Sequence, residues 1–177
     1  MEVLQSLPRD LLAREDQLVA TFRKLEGTAL AKLERLYVFM EEVYKFVNRF
    51  TPCKKGCSYC CFYRVSISEL EIQLMEAHGI KSSMTGFSGE PHGTQCPFLD
   101  RNKCSIYKYR PFVCRQHIML DHSAKWCRPD VCNDIPLANI LFTEINKVYR
   151  ALMHESGLQR RVDIREVFAR QGNVSLT

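Results

Sequence analysis

Apolar residues in the first fifty positions recur at helical spacing. Leu11, Leu12, Leu18, Val19, Phe22 and Leu25 follow a period of about 3.6, and Gly27 is a natural stop. Beyond it, Leu30, Leu33, Tyr37, Met40, Tyr44 and Val47 step alternately by three and four residues, which is heptad spacing. Leu36, Val43 and Phe50 widen that stripe. The stripe is too short for a self-sufficient coiled coil, so the reading is an antiparallel helical hairpin packed on the rest of the chain. A homodimer seam through these N-terminal helices is the competing use of the same face. Thr51-Pro52 ends the second helix, because a residue before proline is pushed out of helical geometry.

The next periodic run is shorter and better punctuated. Ser68 reads as an N-cap, with Glu71 at the third helical position completing a capping box. Ile67 and Ile72 form the flanking hydrophobic staple, and Gly79 sits where a helix hands over to a left-handed residue. These signals predict a helix over 69–78. Residues 81–95 are polar and rich in glycine and serine, as in a loop. From 96 to 132 periodicity nearly disappears, and Pro97, Pro111, Pro129 and Pro136 forbid a long helix. Helical spacing returns from Ile140 to Leu152, and a short helix over 163–170 is predicted with Asp163 as its cap.

The pattern defines a mainly α fold: a helical hairpin and C-terminal helices around an irregular cysteine-rich centre. Its three parts are 1–51, 52–133 and 134–177, within one compact domain. At 177 residues, a single core is what the length supports. A chain of this size buries about 70% of its extended surface and folds without staples. With 46% hydrophobic and 25% charged residues the composition is that of an ordinary globular protein. No apolar run approaches the roughly 20 residues that span a bilayer, so no membrane partner is expected. The opening MEVLQSLPRD has neither the basic nor the apolar region of a signal peptide, and the expected compartment is the cytoplasm.

Nine cysteines change this plain picture. Their odd number, in a chain with no export signal, points to metal or redox chemistry rather than a disulfide framework. Four of them fall in nine residues, Cys53-x3-Cys57-x2-Cys60-Cys61, with Gly56 and Ser58 permitting tight turns. Sulfur ligands select Zn²⁺, Cu⁺ or iron–sulfur centres over hard cations. Neighbours in an extended chain project to opposite sides, so Cys60 and Cys61 would need a turn to face one centre. Cys96, Cys104 and Cys114 follow in CPFLDRNKCSIYKYRPFVCRQH, with Lys103, Lys108, Arg110 and Arg115 bringing positive charge beside the thiols. The net charge of +5 counts every thiol as neutral. A four-thiolate zinc site or an oxidised 4Fe–4S cluster carries about −2, which cancels much of that excess. The basic balance is therefore a weak signal, and a nucleic-acid partner is not expected.

The succession CxxxCxxCC, CPFL and CSIYxxRPxxCR resembles the YkgJ-like cysteine-cluster family, a proposed zinc- or iron-chelating domain, from Cys53 to Arg115. The resemblance implies metal ligation by Cys53, Cys57, Cys60, Cys61, Cys96, Cys104 and Cys114. The first interval is one residue longer than the family's usual CxxCxxCC, as in the branch of flagellin lysine N-methylases. Cys127 and Cys132 are added as ligands, because nine cysteines then divide into two four-ligand sets with one spare. His117 is a candidate nitrogen ligand, with a hydrogen-bonded surface histidine as the competing reading. His78, His92, His122 and His154 are assigned nothing.

The same first interval, with Tyr59, also matches the three-cysteine signature of radical S-adenosylmethionine enzymes. Those enzymes place it after a strand of a partial barrel, whereas here a long amphipathic helix precedes it and strand patterning is nearly absent. Two cofactors remain open: an iron–sulfur cluster of the 4Fe–4S type, serving redox or cluster-dependent modification chemistry with an unidentified protein redox partner, or Zn²⁺ in a structural or interaction module without catalysis. No nucleotide fingerprint or hydrolase triad is present, so any catalysis would reside at the metal.

Overall fold

The computed structural model of the chain describes residues 6–53, 56–83, 85–120, 123–132 and 140–169. Pro136, His122 and the last residue of the helix expected over 163–170 lie outside them.

The N-terminal stripe forms helices, in three pieces rather than two. Helix α1 is Arg9–Asp16 and α2 is Leu18–Arg23, divided at Gln17, while α3 is the long helix Ala29–Val47. Thr28 caps α3 by accepting from the Ala31 amide. A 3₁₀ turn over Asn48–Phe50 finishes it before Thr51-Pro52. The heptad residues Leu33, Leu36, Met40, Val43 and Val47 have almost no exposed surface and are buried inside the chain itself.

What covers them is the C-terminal helix α6, Thr143–Ser156, which packs against both α3 and α2. Its first residues lack a capping side chain of their own. Glu15 of α1 supplies it, accepting from the amides of Glu144 at 2.8 Å and Ile145 at 3.4 Å. A carboxylate there satisfies two orphan donors and faces the positive end of the helix dipole. Gly157, with φ +69°, closes the helix in the left-handed conformation.

Helix α4, Glu69–Ala77, carries both halves of the expected capping box between Ser68 and Glu71, and Gly79 follows with φ +79°. It is the wall between two apolar clusters. Leu70 and Leu74 join the helical core of α1, α2, α3 and α6. Met75 joins a second core with Val65, Ile67, Phe98, Leu99, Ile106 and Phe168, against which Cys61, Cys104 and Cys114 pack.

Short strands and turns build that second side. Strand β1, Ser66–Ser68, pairs antiparallel with β4, Arg161–Asp163. Strands β2, Leu99–Asp100, and β3, Lys103–Cys104, form a hairpin whose two turn residues, Arg101 and Asn102, have φ +43° and +60°. Two positive φ values match the twist of a two-residue hairpin, and Asn tolerates that region better than most side chains. Helix α5, Phe112–Gln116, follows a 3₁₀ turn over Tyr107–Tyr109. Helix α7, Ile164–Val167, starts from an Asp163 cap with Glu166 completing its capping box.

Glu71 ties the two cores together. Its carboxylate is 1% exposed and accepts from the hydroxyls of Tyr37 (2.8 Å), Tyr149 (2.6 Å) and Ser68 (2.8 Å). It also accepts from the amides of Ser68 (2.8 Å) and Phe112 (2.7 Å). A buried carboxylate persists only when its acceptor sites are filled in this way. Through Glu71, α3 and α6 are fastened to the first residue of α5, the helix that carries Cys114.

Candidate metal centre

Gly56, with φ +98°, lets the first cysteine loop turn in a conformation that other residues resist. Residues Tyr59–Phe62 then wind as a 3₁₀ turn, closed by Cys61 N–H donating to Ser58 O at 2.9 Å. Successive side chains on such a turn are roughly 120° apart instead of opposed. That resolves the adjacency of Cys60 and Cys61: both line the same cavity, and their thiols hydrogen-bond to each other.

Backbone bonds bring the later cysteines to this turn. Cys96 N–H donates to Cys61 O at 2.7 Å, and Gly93 N–H donates to Phe62 O at 2.7 Å. The β2–β3 hairpin sets Cys104 across from Leu99, and α5 delivers Cys114. The outcome is a cavity of about 80 Å³ lined by Cys57, Cys60, Cys61, Cys96, Cys104 and Cys114, with Arg110 and Lys103 on its wall. Cys53, Cys60, Cys61, Cys96, Cys104, Cys114 and Cys127 are thiols, not disulfide halves.

Cys53, Cys127 and Cys132 stand outside that lining, in a second group. Met119 N–H donates to Cys53 Sγ at 3.4 Å. A 3₁₀ turn over Ala124–Cys127 places Cys127, whose carbonyl accepts from the Tyr63 hydroxyl at 2.6 Å. Tyr63 is also hydrogen-bonded to the Cys132 side chain, and Cys127 lies within electrostatic reach of Cys53, Cys57, Cys60 and Cys132. His117 meets the Tyr63 ring edge-on at 5.4 Å, and its Nε2 is buried with no hydrogen-bond partner among the described residues. His117 is half-buried, with that nitrogen sealed from water. Across all described residues, no three His, Cys, Asp or Glu side chains already stand at the spacing of an assembled ligand set.

The electrostatics fit a cluster of sulfurs held away from water. Burial raises the thiols of Cys96, to about 11, and Cys127, to about 12, and lifts those of Cys104 and Cys114 as well. Cys60 is the exception, lowered to about 7 first by its hydrogen bond with Cys61 and then by Arg110. The same pairing raises Cys61. Burial lowers the His117 imidazole, which keeps it neutral and a competent nitrogen donor.

The positive residues divide by role. Arg110 favours the anionic forms of Cys60, Cys104 and Cys114. Arg115 does not face the thiols as expected: its guanidinium donates to Arg110 O, Lys108 O and Glu41, and lies 4.2 Å over the Tyr37 ring. It holds the Tyr107–Arg110 turn in place. Lys108 likewise lies off the cysteine cavity.

Sequence reasoning missed Arg165. Only 4% of its surface is exposed, and it pairs with Asp163 at 2.9 Å while donating to the carbonyls of Cys61 (3.3 Å), Tyr63 (3.1 Å) and Thr94 (2.5 Å). One guanidinium from the C-terminal segment therefore fixes both arms of the cysteine loop. The only forewarning was its place two residues after a capping Asp.

Residues 52–133, just under half of the chain, match the family model CxxCxxCC, described as a proposed zinc- or iron-chelating domain. The resemblance seen in the motifs agrees with this match, which supports metal binding by the cysteines of this region. Comparison with curated proteins and with solved structures found no match. Among the described residues, no helix is long and apolar enough to cross a membrane.

Proposed function

We propose that the chain holds an iron–sulfur cluster through the thiolates of Cys57, Cys60, Cys61, Cys96, Cys104 and Cys114. The bound cluster would supply one-electron chemistry, or an iron at which a substrate is modified, together with a protein redox partner in the cytoplasm. The observation that carries this reading is the number of sulfurs on one cavity: six, where a mononuclear zinc site takes four. A surplus of thiols suits a polynuclear core. The Arg110 guanidinium beside them favours an anionic centre, and charge near a cluster tunes its potential.

The second group, Cys53, Cys127, Cys132 and the unpartnered Nε2 of His117, is the donor set of a further centre. Three sulfurs and one imidazole is also a common composition for structural zinc. That is what keeps a zinc-bound, non-catalytic module as the alternative.

Anaerobic purification with a visible spectrum and iron, zinc and sulfide analysis tests both. Brown protein with stoichiometric iron and sulfide is expected, lost in Cys60→Ser and Cys96→Ser and retained in His154→Ala. Colourless protein carrying zinc would replace the cluster by the alternative. Protein with no metal at all would end both readings.

A further inference from the structure

A second cavity, about 390 Å³, opens on the other side of Arg110 between α3 and the 107–110 turn. That volume falls within the roughly 300–1,000 Å³ of small-molecule sites. Two of its lining groups are buried donors with nothing to bond among the described residues: the Tyr44 hydroxyl and Arg110 Nε. Tyr44 is only 3% exposed, and burial keeps its phenol protonated, hence a donor. Such orphans are rare in folded proteins, because a buried donor left alone pays its full desolvation penalty.

The charges that line this cavity are mainly positive, although the Glu15 carboxylate is also felt at the Tyr44 hydroxyl. Lys45, Lys108, Arg110 and Arg115 line the cavity, against Glu41 alone, and Glu41 is already paired with Arg115. Arg110 is held with its guanidinium 4.0 Å over the Tyr107 ring, and its charge is felt at the Tyr44 hydroxyl. A solvated basic surface would explain Lys45 and Lys108. It does not explain a buried phenol and a buried guanidinium N–H facing the same space.

We propose that this cavity binds a small molecule through an oxyanion, carboxylate or phosphate, received by Tyr44 Oη–H and Arg110 with Lys45 and Lys108 at its mouth. Arg110 and Tyr107 line the cysteine cavity as well, so the bound molecule sits against the proposed metal centre. The inference deepens the metal-centre reading by giving it a substrate or effector class, while the anion site itself rests on its own groups.

Calorimetric titration of the metal-loaded full chain with inorganic phosphate and, separately, with succinate tests it, with 1,4-butanediol as the uncharged probe. One phosphate or succinate per chain is expected, the preferred one naming the ligand class, and no heat from the diol. Tyr44→Phe is expected to weaken binding about tenfold, the scale of one lost hydrogen bond to a charged group. Arg110→Gln is expected to abolish it, whereas Lys125→Ala leaves it unchanged. Since the Tyr44 hydroxyl has no bond to lose among the described residues, Tyr44→Phe should keep the thermal midpoint and metal content of the parent, and the anions should no longer raise that midpoint. No binding of either anion by the parent, or binding that Tyr44→Phe and Arg110→Gln leave intact, overturns the proposal. Metal analysis of the same samples separates that result from failure of the metal centre itself.

Discussion

The helical core and the cysteine core are built by different means. Around α3 and α6 the work is done by apolar side chains at helical spacing: Leu33, Met40, Val47, Ile145 and Leu152 are sealed from water, each contributing on the order of 2 kcal/mol. Around the cysteines, beyond the wall of α4, the described residues form only two-residue and three-residue strands, 3₁₀ turns and four- or five-residue helices. Polar ties hold these pieces: Arg165 to three carbonyls, Arg115 to two, and Asp163 to the Val65 amide at 2.9 Å. A region assembled from such pieces would lean on the proposed metal for its cooperative strength. The helical region does not share that dependence.

This contrast predicts an unequal response to chelation, which should be the largest effect. Removing the metal should erase amide-exchange protection across 57–63 and 96–116 while α3 and α6 keep theirs, because a structural metal contributes on the order of 10 kcal/mol. Equal loss in both regions would mean the two are one cooperative unit. Glu71→Ala comes next. It strands five donors and is expected to cost about 3–5 kcal/mol, lowering the thermal midpoint by roughly 10 °C and loosening both regions together. Leu33→Ala, at a site with no exposed surface, should cost about 3 kcal/mol in thermal unfolding yet leave metal stoichiometry unchanged. Asn102→Val is the smallest, about 1 kcal/mol, since it forces a β-branched residue to φ +60° in the hairpin that presents Cys104.

The helical half was legible because burial on a helix writes its period into the sequence. The stripe from Leu30 to Val47, the Ser68–Glu71 capping box and the Asp163 cap each name their own element. Less visible was the break at Gln17, since Glu15 is drawn away to cap a helix 128 positions later, a partner that no local pattern encodes. In the cysteine half, the candidate ligand residues were plain from composition and interval. Their grouping was not. The separation of Cys53, Cys127 and Cys132 from the six-sulfur cavity depends on Tyr63 and on turns whose hydrogen bonds are long-range. Arg115 read as a charge beside the thiols and Arg165 drew no reading, because nothing local distinguishes a guanidinium that grips backbone carbonyls from one that faces a ligand or water.

The bond from the Cys96 amide to the Cys61 carbonyl has a kinetic corollary. It closes a stretch of about 35 residues, a closure whose entropy an incoming ion would otherwise have to overcome at the moment of capture. Chelation would open that seam along with its neighbours, so the polypeptide and Arg165 re-form it as the inorganic partner binds and carry part of a cost that would otherwise fall on the ion alone. Loading should therefore be slowed by the mild denaturant that slows folding, and slowed further in Arg165→Ala.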